Sequence, residues 1–66
     1  MYKIFVTNMN TGDVVEFQYK NKKTAINRFK GTCNEIGYKY TDVSQLGLMV
    51  AGGVGYEFRL ELVEVV

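Results

Sequence analysis

The sequence predicts an α+β fold: a single ββαββ domain over residues 1–66, with a four-stranded sheet carrying one helix on one face. Three observations predict it. From Asn21 to Gly37 the apolar residues Ala25, Ile26, Phe29, Cys33 and Ile36 recur at helical spacing and fall within one arc of about 100°. On each side of this stretch lie two segments that alternate with a period of two, as half-buried strands do. The segments of each pair are separated by runs rich in Asn or Gly, which tolerate tight turns.

Each element follows in order. The first strand, Tyr2 to Thr7, places Tyr2, Ile4 and Val6 on one face and Lys3, Phe5 and Thr7 on the other. Asn8 to Asp13 is a hairpin loop in which Gly12 is free to take a positive φ. The second strand, Val14 to Lys20, sets Val15, Phe17 and Tyr19 toward the core and Val14, Glu16, Gln18 and Lys20 away from it. Asn21 caps the helix by accepting from free N–H groups of the first turn, and Gly37 ends it in a left-handed conformation. Tyr38 to Asp42 is read as a connection to a third strand at about Ser44 to Ala51, with Leu46, Leu48 and Val50 inward and Gly47, Met49 and Ala51 outward. Gly52, Gly53 and Gly55 make the next turn. The last strand, Tyr56 to Val66, alternates Tyr56, Phe58, Leu60 and Leu62 with Glu57, Arg59 and Glu61, and the break in pattern at Val63 predicts a bulge or frayed end. The expected core is Ile4, Val6, Phe17, Ile26, Phe29, Ile36, Phe58 and Leu60.

If the helix returns the chain across the sheet, the first and last strands run parallel at the centre of a mixed sheet of order 2-1-4-3, joined by a right-handed crossover. That order of elements resembles the β-grasp arrangement of ubiquitin-like and protein-G-like domains, a likeness of layout with no sequence motif behind it. Such a likeness implies a fold and not a function. The competing arrangements are another pairing of the two hairpins, or a sheet completed across a dimer.

Composition excludes several chemistries. With no His the commonest general base is missing, along with the Ser-His and Cys-His nucleophile pairs, and no enzymatic activity is expected. Glu57 and Glu61 share a strand face, but their backbones stand about 13 Å apart, too far for paired-carboxylate glycoside chemistry. No metal or cofactor is expected, because one Cys and scattered acids offer no ligand spacing. Cys33, on the apolar stripe, reads as a small hydrophobe. The stretch from Ala51 to Tyr56 is rich in Gly, but it precedes a strand and lacks a Lys, so it reads as a hairpin loop and not a phosphate cradle. With no signal peptide or membrane-spanning run, the expected location is the cytoplasm.

Two surfaces remain as candidates. Net charge is +1 but unevenly spread: residues 20–39 carry +5, whereas residues 1–19 carry −1 and residues 40–66 carry −3. Lys23, Asn27, Lys30 and Asn34 form a stripe on the helix flank, near Lys20, able to neutralise phosphates and donate to base edges. This is the candidate nucleic-acid contact. The other is the sheet face turned away from the helix, where Phe5, Val14, Met49 and Val63 form an apolar centre and Arg59 stands in a charged border, the anatomy of a protein interface. The sequence therefore points to a small binding protein, a stand-alone regulator or inhibitor whose partner is another protein or a second copy of itself. Phage-encoded antagonists of host machinery are proteins of this size. A nucleic-acid module and a structural homodimer subunit are the rival readings.

Overall fold

The computed structural model describes residues 1–43 and 48–65. Strands β1 (Tyr2–Asn8) and β2 (Val14–Tyr19) form the first hairpin, α1 spans Lys22–Ile36, and β3 (Tyr40–Val43), β4 (Leu48–Gly52) and β5 (Phe58–Glu64) follow. The sheet order is β2-β1-β5-β4-β3. The four expected strands are therefore in the expected order, and a short fifth strand extends the far margin. No helix among the described residues is long and apolar enough to cross a membrane.

The direction of the central pair differs from expectation. β1 and β5 are antiparallel, with Ile4 opposite Leu62 and Val6 opposite Leu60, so the sheet is antiparallel throughout and not mixed. The cause is β3. Residues read as a connection form one more pass across the sheet, and one more reversal inverts the last strand. In this respect the chain departs from the β-grasp plan it resembles in strand order.

The helix ends follow the sequence closely. Asn21 Oδ1 accepts from the N–H groups of Lys23 (2.9 Å) and Thr24 (3.3 Å). At the other end Gly37 takes φ 75°, its N–H donating to the Asn34 carbonyl, while the Tyr38 N–H donates to the Cys33 carbonyl. That bond pair satisfies carbonyls the helix would otherwise leave free. Asn21→Ala is expected to cost about 1 kcal/mol, read as a lower urea midpoint with an unchanged slope. A change in slope would show that the cap shapes more than the first turn.

The core lies between the buried helix residues Ala25, Phe29 and Cys33 and the sheet residues Ile4, Met49, Ala51, Leu60 and Leu62. Phe29 meets Tyr40 edge to face at 6.2 Å. Val6, Ile26 and Phe58 pack at its boundary, as does Tyr19, but Phe17 and Ile36, both expected inside, are exposed. The strand before the glycine turn is also inverted. Met49 and Ala51 pair with Leu62 and Leu60 and face the helix, whereas Val50 pairs with Glu61 on the opposite face. Leu46 and Gly47 of the expected third strand lie outside the described residues. At Val63 the β1–β5 register continues unbroken to Tyr2 opposite Glu64, so the expected bulge is absent there. The acid takes the inward position at the sheet margin, where the Tyr2 hydroxyl donates to its Oε2 at 2.8 Å. That bond to a carboxylate holds the Tyr2 pKa above its ordinary value.

Candidate functional site

The open sheet face carries most of the expected interface, with one correction. Phe5 is opposite Glu16 on one side and Glu61 on the other, and Val14, Arg59 and Val63 share its face by register. Met49 does not: only 1% exposed, it fills the core beneath the helix. Its strand is apolar on both faces, so alternation cannot choose between them, and the packing of β4 against β5 decides. Phe5 itself is half-buried. Around it Lys3 Nζ pairs with Glu16 Oε1 at 3.3 Å, Arg59 Nε with Glu61 Oε1 at 3.0 Å, and Gln18 Nε2 donates to Glu16 Oε2 at 3.0 Å. The Gln18 bond, with the lysine beside it, draws the Glu16 pKa below its usual carboxylate value. The centre of this face is thus enclosed by a polar network instead of standing as an apolar patch.

The larger apolar exposure is on the other side, at β2. A helix is about 10 Å wide and strands are spaced about 4.8 Å, so one helix cannot cover every inward residue of a five-stranded sheet, and α1, which approaches β1, β2 and β5, leaves part of β2 bare. Val15 and Phe17, whose register partners Val6 and Ile4 reach the core, are left 52% and 47% exposed, and Val14 on the opposite face is 57% exposed. Between α1 and β2 runs an open groove of about 350 Å³. Its floor is Ile4, Val6, Val15, Phe17 and Tyr19, and its helical wall is Arg28 and Thr32. Val15 and Phe17 escaped the sequence reading because alternation assigned them to the core. The available signal was the strand order itself, which puts the second strand at an edge of the sheet, with no strand beyond it to complete its cover.

The basic residues are only partly gathered. Lys20, Lys23 and Asn27 line a shallow concavity of about 600 Å³ at the start of α1, together with Tyr2, Asn21, Lys22 and Ile26, while Lys30 and Asn34 lie further along the helix and do not line it. The glycine turn links β4 to β5 as expected, with the Tyr56 N–H donating to the Gly53 carbonyl at 3.0 Å. Cys33 is fully buried, and burial pushes its thiol pKa up, which suppresses the reactive thiolate. Comparison with protein-family models, curated proteins and solved structures finds no match for this chain, so its function has to be argued from these surfaces.

Proposed function

We propose that the chain is a non-enzymatic binding protein that works by protein–protein contact through the β2 margin, in the manner of a small regulator or inhibitor. The observation that supports this reading is the exposure of Val14, Val15 and Phe17 along a regular edge strand. Phe17 is about half exposed, so it forgoes roughly half of the 1.5 to 3 kcal/mol that full burial would give, a loss a partner would recover. The strand is also lightly protected as an edge, with no proline or lysine within Val14–Tyr19 and Glu16 as its one charge.

The reading is tested by capture from extract of the native host after nuclease treatment. Partners held by the wild type should be lost by the Val15→Lys, Phe17→Lys double variant, whose stability should stay within about 1 kcal/mol because both positions are exposed. Partners that remain bound would overturn the reading. The rival use of the helix flank is favoured by the lysines around the concavity at the start of α1. It requires retention on a nucleic-acid column that weakens steeply with salt and vanishes in a Lys23→Glu, Lys30→Glu variant. We expect the wild type to pass through that column at low salt.

A further inference from the structure

We propose that the partner at this margin is a second copy of the chain, joined β2 to β2 in an antiparallel pair about a two-fold axis through Phe17. The proposal rests on the reading of β2 as a contact surface and adds the identity of what covers it.

The backbone at the edge is oriented for such pairing. The Asn8 N–H donates to the Asp13 carbonyl at 2.8 Å, which makes those residues a hydrogen-bonded pair continuing the β1–β2 register. In an antiparallel ladder such pairs alternate, so Val15, Phe17 and Tyr19 spend their backbone groups on β1. The N–H and C=O groups of Val14, Glu16 and Gln18 then point outward from the edge. A two-fold axis perpendicular to the sheet keeps both helices on one side and sets residues of equal parity opposite each other. The apolar residues of odd number therefore meet one another, and those of even number, polar apart from Val14, meet one another.

Like-charge repulsion and the length of the strand select the register. Centring the pair on Glu16 would put two carboxylates directly opposite, an unfavourable arrangement. Centring it on Gln18 would pair Glu16 with Lys20 but would set Val14 and Val15 against Lys22 and Asn21, which belong to the helix and its cap and cannot continue the ladder. Centring it on Phe17 puts Glu16 opposite Gln18 of the other copy, with Val15 opposite Tyr19. Within one chain Gln18 already donates to Glu16, so the two side chains are compatible, and the two-fold axis repeats the match on both sides of the seam. The two Phe17 rings meet at a non-hydrogen-bonded position, where Cα atoms approach to about 4.5 Å. The two grooves then join into one apolar valley floored by both β2 strands and walled by both helices.

Sedimentation equilibrium across a micromolar to millimolar series should show a dimer for the wild type. Gln18→Pro removes an outward N–H and leaves the bonds to β1 in place, so it should weaken dimerisation more than about tenfold with the circular dichroism spectrum retained. Should that variant unfold, Phe17→Lys, which sets like charges on the axis at an exposed site, should give the same loss of dimer. Mild oxidation should cross-link Phe17→Cys and spare Val15→Cys, since only position 17 faces its own copy, and the buried Cys33 thiol does not compete. A monomeric wild type, a dimer indifferent to both substitutions, or cross-linking at position 15 and not at 17 would each overturn the proposal. A monomeric wild type whose captured partner is nevertheless lost in the Val15→Lys, Phe17→Lys variant would place a foreign segment at β2 and leave the contact reading standing. A monomeric wild type whose partners are untouched by that variant would remove both.

Discussion

Phe29→Ala should lower the stability of this domain by about 3 to 5 kcal/mol, and its melting temperature by about 15 to 30 °C. The ring is fully buried, and it meets Tyr40 edge to face at 6.2 Å. Truncation removes the transfer free energy of the ring and opens a cavity between the helix and the sheet, which relaxation closes only in part. A domain of this size has about 5 kcal/mol to lose, and a substantial unfolded fraction is expected even at room temperature. Phe17→Ala is the matched comparison, because the same side chain at 47% exposure should cost less than about 1 kcal/mol. Thermal melting followed by circular dichroism reads both. Equal losses at the two positions would mean that the helix covers β2 after all.

Gly52→Ala should be the most damaging change that adds a single methyl group. Gly52 closes β4 at φ 73°, a left-handed conformation that costs an L-residue about 1 to 2 kcal/mol. A Cβ there would also run into the backbone carbonyl of Phe58 and sit 2.9 Å from Cε2 of Tyr38. Tyr38 cannot easily withdraw, because its hydroxyl accepts from the Phe58 N–H at 3.2 Å and its ring packs against Tyr56 at 5.0 Å. Overpacking adds about 1 to 3 kcal/mol, for a total of about 2 to 5 kcal/mol. Gly12→Ala separates the two effects, since Gly12 has φ 79° with nothing within 4 Å of its missing Cβ. Urea unfolding should show only the conformational cost at Gly12. Equal midpoints for the two variants would mean that the hairpin and Tyr38 yield to the methyl group at no cost.

The elements legible in the sequence are those whose cause is local. The helix follows from the spacing of Ala25, Phe29 and Cys33 and from the side-chain chemistry of Asn21 and Gly37, all within one continuous stretch. The first hairpin is equally local: Asn8 Oδ1 accepts from the N–H groups of Asn10 and Thr11, and Gly12 supplies the positive φ. The strand ending at Gly52 was less legible. In the sequence Leu48 and Val50 alternate with Met49 and Ala51 and all four are apolar, so period-two reasoning has nothing to separate them. Tyr38 and Tyr40 read as a polar connection because four strand residues between a helix and an uncertain third strand carry little periodicity.

By itself the sequence determined the α+β class, the helix with both of its ends, the order of the four main strands and the inward alternation of the first and last of them, because propensity, capping and period-two patterning act within a few residues. Tertiary structure alone decided the direction of the central pair, since one short extra strand reverses every later pass of the chain. It alone placed Met49 in the core and moved the exposed apolar surface from Phe5 to Val15 and Phe17. The reason is one of width: a single helix cannot cover every inward residue of a five-stranded sheet, so the fate of such a residue depends on where the helix crosses its strand, which no local pattern encodes.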